Sequence, residues 1–282
     1  MRRLPIAAAI LAGVMALLGT GCDYLQARNH LNKGVGAMKT AKYKEATEHF
    51  KEAIALDPAW EVPKLYLATA YLSQWIPGAE SAENREFASQ ARAGFMKVIE
   101  TNPNDKNALA YMASMAYSEA TSGTPTPEEK KAKLDEAESW QTKRNAVEPS
   151  AEAYYSLAVI SYIRWVPDWL GARTALKMRQ EDPGPLKDKK VRDELKAKHE
   201  ASLDGALANL KKSLELDPEY ENAMTYMSLI TREKADLLED KAAYDAAIAE
   251  ADKWQDDSMK IRKIKAERAA KKAGGGITQE SK

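Results

Sequence analysis

One helical signature returns three times along this chain, and each time a proline closes it. Ala46, Phe50 and Ala53 precede Pro58; Ala91, Phe95 and Val98 precede Pro103; Ala206, Leu210 and Ser213 precede Pro218. Spacing at i, i+4 and i+7 puts small and large side chains in one narrow stripe on a helix face. The proline, lacking an N–H and crowding the turn before it, stops that helix and opens the next. A helix with so narrow a stripe makes no core alone. It buries the stripe against a partner helix, and the pair buries its remaining face against neighbouring pairs. Such a chain is a stack of helix hairpins: a scaffold with a groove.

The signature resembles the second helix (helix B) of the tetratricopeptide repeat (TPR), a helix pair of about 34 residues. The resemblance implies an all-α, TPR-type helical-hairpin solenoid wound as a right-handed superhelix. About five repeats with insertions are expected, near 27–60, 61–104, 106–149, 151–219 and 221–265, within a solenoid over 22–273. Their first helices carry Gly34 and Ala37; Leu67, Ala68 and Tyr71; Leu109, Met112 and Ala113; Tyr154, Leu157 and Ala158; and Met224, Met227 and Ser228. The insertions are themselves repeated. Trp75-Ile76-Pro77 matches Trp165-Val166-Pro167, Asn107-Ala108 with Tyr111-Met112 matches Asn222-Ala223 with Tyr226-Met227, and Glu136-Ala137 with Trp140 matches Glu250-Ala251 with Trp254. Repeats two and three therefore read as duplicated in repeats four and five. Trp75 and Trp165 are expected in equivalent loops, and Trp140 and Trp254 at equivalent helix positions. An extra insertion over 169–198 contains a turn at Asp182-Pro183-Gly184-Pro185. The basic stretch from Lys260 to Lys272 reads as a polar terminal helix, and 274–282 as a disordered tail.

The N-terminus has a different logic. Arg2 and Arg3 precede an apolar run from Ile6 to Leu18, too short to span a bilayer, and small residues follow. This is the pattern of an export signal over 1–21. Leu18-Gly19-Thr20-Gly21-Cys22 resembles a bacterial lipobox, with Gly19 where that pattern prefers leucine and Cys22 as the only cysteine. The resemblance implies lipid attachment at Cys22, and hence a lipoprotein anchored in the bacterial cell envelope and facing the periplasm. The other reading is ordinary cleavage near Gly21, leaving a soluble periplasmic protein with a free thiol. Asp23 resembles an inner-membrane retention signal of enterobacterial-type sorting, but inner and outer membrane both stay open.

Lys plus Arg and Asp plus Glu both number 42, so no basic field exists to draw nucleic acid. His30, His49 and His199 show no metal-ligand spacing, and no nucleophile elbow or phosphate-binding glycine loop occurs. No catalytic residue, metal or cofactor is expected, and the chain does not read as an enzyme. The working surface is then the groove that the first helices (helices A) of the repeats line. Asn107, Tyr117, Tyr155, Tyr162, Asn222 and Arg232 are the candidate contacts, because tyrosine, asparagine and arginine combine area with polar edges. Tyr155 and Tyr162 have a second reading, packing against helix B of their own repeat. Trp75 and Trp165 either pack back on their hairpins or anchor a partner. The family's carboxylate clamp needs Lys, Asn and Arg on successive A helices, where this chain is mostly apolar or hydroxylic. Tyr71 to Gly78 and Asn222 to Leu238 are similar to a group of exported bacterial TPR proteins without an assigned biochemical role. The expected function is a lipid-anchored, periplasm-facing scaffold for a protein or peptide partner, in cell-envelope assembly or maintenance. The alternative is an envelope enzyme or substrate-binding accessory protein that uses the 169–198 insertion as a lid over the groove.

Overall fold

A computed structural model describes residues 4–274, with side chains described over 22–272. Residues 1–3 of the expected signal and 275–282 of the expected tail lie outside the described residues. Ten helices and no strand are present among the described residues: α1 (Leu4–Lys39), α2 (Tyr43–Leu56), α3 (Glu61–Leu72), α4 (Ala82–Thr101), α5 (Lys106–Thr121), α6 (Pro127–Val147), α7 (Ala151–Ala175), α8 (Lys189–Leu216), α9 (Glu221–Ala235) and α10 (Lys241–Gly274). Helices α1 and α2, α3 and α4, α7 and α8, and α9 and α10 pack as hairpins that stack on one another within each unit, and the chain is an all-α, TPR-type solenoid. No helix among the described residues is long and apolar enough to cross a membrane. The chain divides into two compact units, one up to Trp140 and one from Gln141.

In the first unit the stripes of the sequence are the core. Ala46, Phe50 and Ala53 of α2 are fully buried, and so are Ala91 and Phe95 of α4. Phe95 stacks on Tyr111 of α5 with ring centroids 4.9 Å apart and 24° between planes. Helix crossings depend on missing side chains. A Cβ on Gly34 would lie 2.4 Å from the Phe50 ring, and one on Gly94 2.7 Å from the Ala68 Cβ. Backbone α1 runs unbroken through Cys22, but its first buried side chain among those described is Ala27.

Helix α3 stops at Leu72, and the Trp75-Ile76-Pro77 segment forms a loop that buried Asn84 organises. The Asn84 amide donates to the Ile76 and Ala79 carbonyls, each at 2.8 Å, and accepts from the Ile76 N–H at 2.7 Å. Gly78 (φ 82°) then meets Gly123 (φ 69°) of the loop after α5. Both lie in the left-handed region that side chains resist, and a Cβ on Gly78 would sit 2.7 Å from the Gly123 nitrogen.

The second unit treats the same motif differently, which corrects the expectation of equivalent tryptophan loops. Helix α7 does not stop after Tyr162; it runs through Trp165 and Pro167 to Ala175. Where the first copy has left-handed Gly78, the second has Asp168, whose carboxylate holds His199 at 2.6 Å and Lys198 at 2.7 Å on α8. Three further features fill this longer hairpin: Trp165 is fully buried, and Trp169 and Arg173 continue its face at i+4 and i+8. The 169–198 segment is thus the end of α7, a loop and the start of α8. That loop packs down on its own unit. Leu186 is fully buried and its N–H bonds the Asp236 carbonyl at 3.0 Å, while the Gly184 N–H bonds the Tyr244 hydroxyl at 2.8 Å. On α8, Ala206, Leu210 and Ser213 form the buried stripe, and the Ser213 hydroxyl donates to the Ala151 carbonyl at 2.8 Å. Trp140 and Trp254 do match: each is half-buried and donates to the glutamate four residues earlier, Glu136 at 3.3 Å and Glu250 at 3.4 Å.

Candidate functional site

Tyr155 and Tyr162 stand seven residues apart on α7 and so share one face of that helix. Tyr226 on α9 meets both rings edge-on, at 5.4 Å from Tyr155 and 5.2 Å from Tyr162. Tyr220, at the start of α9, meets Tyr155 edge-on at 5.3 Å. Edge-to-face contact suits the ring quadrupoles and holds the rings in fixed orientations. All four are half-buried. The partners of Tyr155 and Tyr162 are thus tyrosines of the next repeat's first helix. Asn222 is exposed beside them and hydrogen-bonds Tyr220.

The remaining candidates make other contacts. Arg232 pairs with Asp252 of α10. Asn107 is exposed on the first turn of α5 and Tyr117 half-buried farther along it, both in the first unit. Trp75 is half-buried against the Phe95 cluster, while Trp165 has no exposed surface. Cys22 is exposed.

Behind the tyrosines lies a polar network inside the second unit's core. Glu233 is 4% exposed. It accepts hydrogen bonds from the Tyr162 hydroxyl and the Trp165 indole N–H, each at 2.8 Å. Asp236 accepts from the Trp169 indole N–H at 2.7 Å and ion-pairs with buried Arg173. Arg173 spends its remaining donors on the Arg179 and Asp182 carbonyls, tying the loop to the network. Two carboxylates therefore face one guanidinium, and it belongs to Asp236. Burial pushes the Glu233 carboxyl up to about 7; the Tyr162 and Trp165 bonds oppose that, and the Asp236 charge adds to it. Burial, then the Glu233 charge, holds the Tyr162 phenol above its usual value. Burial also raises Asp168, but the hydrogen bonds of Lys198 and His199 outweigh it and the net shift is downward.

Glu233, Asp236 and Arg173 are not candidates in the sequence, since isolated charges carry no periodic signal, and neither are Tyr220 and Tyr226, whose place beside Tyr155 depends on how α9 meets α7. The duplication does contain one. Counting from the paired asparagines Asn107 and Asn222, the first copy has Ser118 and Thr121 where the second has Glu233 and Asp236. Elsewhere, His30 and His49 approach across the first hairpin, with Nδ1 atoms 3.4 Å apart. Among the described residues no three His, Cys, Asp or Glu side chains gather as a metal site would require.

No family model matches the chain, and no curated protein matches it. Solved structures do. MamA (residues 41 to the end) from Desulfovibrio magneticus RS-1 is similar over 85% of this chain and 96% of that one, at 15% identity and TM-score 0.52. A second MamA structure is similar over 86% and 94%, at 13% identity and TM-score 0.53. A thermophilic TPR protein of Thermus thermophilus aligns over 79% and 99%, at 17% identity and TM-score 0.41. At such identities the likeness is one of fold.

Proposed function

We propose that this chain is a non-enzymatic TPR scaffold that holds a protein or peptide segment on the Tyr155, Tyr162, Tyr220 and Tyr226 face. It acts in cell-envelope assembly or maintenance, facing the periplasm and tied to a membrane by a lipid on Cys22. The carrying observation is the tyrosine face itself: four rings from two successive A helices, locked edge to face, half-buried and backed by a buried network. Rigid aromatic area with polar edges binds segments at low cost in side-chain entropy. The insertion, pinned by Leu186, Gly184 and Arg173, gives the lid reading no support. For the anchor, the support is the lipobox-like Leu18 to Cys22 stretch and the exposure of that cysteine.

The test is affinity capture from solubilised membranes with the domain that begins at Cys22. A defined protein should be recovered by the wild type and lost with Tyr155→Ala/Tyr226→Ala, while the helical circular dichroism is kept. Equal recovery by both would place the binding surface elsewhere. Radiolabelled palmitate should enter the full chain and not its Cys22→Ala variant; label surviving in that variant would remove the anchor site.

A further inference from the structure

The tyrosine face and the buried acids meet at one atom, the Tyr162 hydroxyl oxygen. Its bond to Glu233 is only part-buried, whereas the Trp165 bond to the same carboxylate is buried. Tyr162 is therefore where the network reaches the face. The two donors differ in kind. An indole N–H can only donate, so Trp165 always requires an acceptor oxygen at Oε2. A phenol both donates and accepts, so the bond at Oε1 can run in either direction.

We propose that Glu233 is a positioning residue that sets the hydrogen-bonding polarity of this face by reversing its bond to Tyr162. With the carboxylate ionised, Tyr162 spends its one proton on Oε1 and turns an oxygen lone pair toward the partner. When Glu233 takes a proton from solvent, Trp165 holds Oε2 as an acceptor, so the proton resides on Oε1 and is donated to Tyr162. The phenol must then aim its own O–H outward. One proton enters, no bond to carbon changes, and the face exchanges an acceptor for a donor. A partner presenting a carbonyl or carboxylate to Tyr162 is favoured by the protonated state, which also removes a buried negative charge behind it. A partner presenting an N–H is favoured by the ionised state.

The surroundings permit this near neutrality. Asp236, just past the end of α9, is matched by Arg173 on α7, which leaves Glu233 held by neutral donors. Asp168 on α7 is satisfied by Lys198 and His199 of α8, and the His199 ring lies edge-on to Trp165 at 5.3 Å. Tyr226 of α9 meets Tyr162 edge-on, its phenol acts electrostatically on that of Tyr162 and its hydroxyl is hydrogen-bonded to Tyr155, while Tyr244 of α10 is bonded to the Gly184 N–H. Burial pushes the Glu233 carboxyl up to about 7, within the range a cell compartment can cross. The first copy, with Ser118 and Thr121 in the corresponding places, has no acid to perform the exchange.

The inference rests on the binding role of this face, but its test needs no partner. The protein beginning at Cys22, labelled with carbon-13 at the tyrosine Cζ and glutamate Cδ, is titrated by NMR. Tyr162→Phe assigns the tyrosine resonance and Glu233→Gln the carboxyl. The two signals should move together with one midpoint at about 7. Glu233→Gln should hold the Tyr162 resonance at its low-pH position throughout, because Trp165 takes the amide oxygen and the amide N–H₂ donates to Tyr162. In Tyr162→Phe the Glu233 midpoint should rise, since a donor to the carboxylate is gone. A Tyr162 signal that stays still while Glu233 titrates would overturn the inference. So would one that titrates in Glu233→Gln, or an unchanged Glu233 midpoint in Tyr162→Phe. Titration without any captured partner would refute the scaffold reading and leave the reversal standing.

Discussion

Glu233 shows how one side chain can carry both a structural cost and a response to pH. Its folded value of about 7 stands above the ordinary carboxylate range, so folding favours its protonated form. The stability it contributes is complete below that ordinary range and is lost as pH rises through about 7. A shift of this size corresponds to about 3 kcal/mol between the two limits. Urea unfolding should therefore show Glu233→Gln more stable than the wild type by about 2–3 kcal/mol at pH 8.5, with the gap narrowing toward pH 5. A constant gap across that span would mean that the carboxyl does not titrate there. Arg173 has the opposite character. Arg173→Met strands the buried Asp236 charge and should cost about 3–5 kcal/mol. Adding Asp236→Asn should recover much of that loss in the same urea assay, because the uncompensated charge is removed along with its partner. No recovery would assign the loss to Arg173's bonds with the Arg179 and Asp182 carbonyls instead.

At the level of helices, contact depends as much on absent atoms as on apolar stripes. Gly34 presents bare backbone to Phe50, and a methyl group there would sit 2.4 Å from the ring. Gly34→Ala should destabilise the first hairpin by about 1–3 kcal/mol in thermal unfolding, the usual range for overpacking. Gly36→Ala is the control: nothing lies within 4 Å of its added Cβ, so it should gain up to about 1 kcal/mol from helix propensity. Equal effects at the two sites would show that Phe50 moves aside without penalty. These helix pairs were legible because the stripes of Phe50, Phe95 and Leu210 recur with one period and end at prolines. The fate of α7 was not. Trp75-Ile76-Pro77 and Trp165-Val166-Pro167 are the same local sequence type, yet one follows a helix and the other lies inside one. What separates them is remote: Asn84 and the glycine contact of Gly78 with Gly123 shape the first, while His199, Lys198, Glu233 and Asp236 grip the second. Of the candidate face, Tyr155 and Tyr162 could be named from helix-A spacing. Their neighbours Tyr220 and Tyr226 and the acids behind them depend on which helices meet, and that is a tertiary fact.

The whole chain contains two compact units, each with a core of its own. Phe95, Met112 and Met115 belong to one cluster, and Trp165, Leu186, Leu203 and Leu210 to another. In stacked-repeat proteins stability is approximately a sum of repeat terms and nearest-neighbour terms, so damage propagates only as far as those terms carry it. Trp165 fills a fully buried site and donates to Glu233 at 2.8 Å, so Trp165→Ala both empties that site and leaves an acid short of a donor. The loss should be about 3–5 kcal/mol, felt first in α7, α8 and α9. Native-state hydrogen exchange can locate it. Amides of α7 to α9 should lose protection while those of α4 and α5, around Phe95 and Met112, keep theirs, as expected when regions open with separate free energies. A uniform loss along the chain would mean that the two cores open as one cooperative body. A loss confined to the turns around Trp165 would mean that the network is a local fixture, and the second unit would then owe its order to the Leu203 and Leu210 stripe alone.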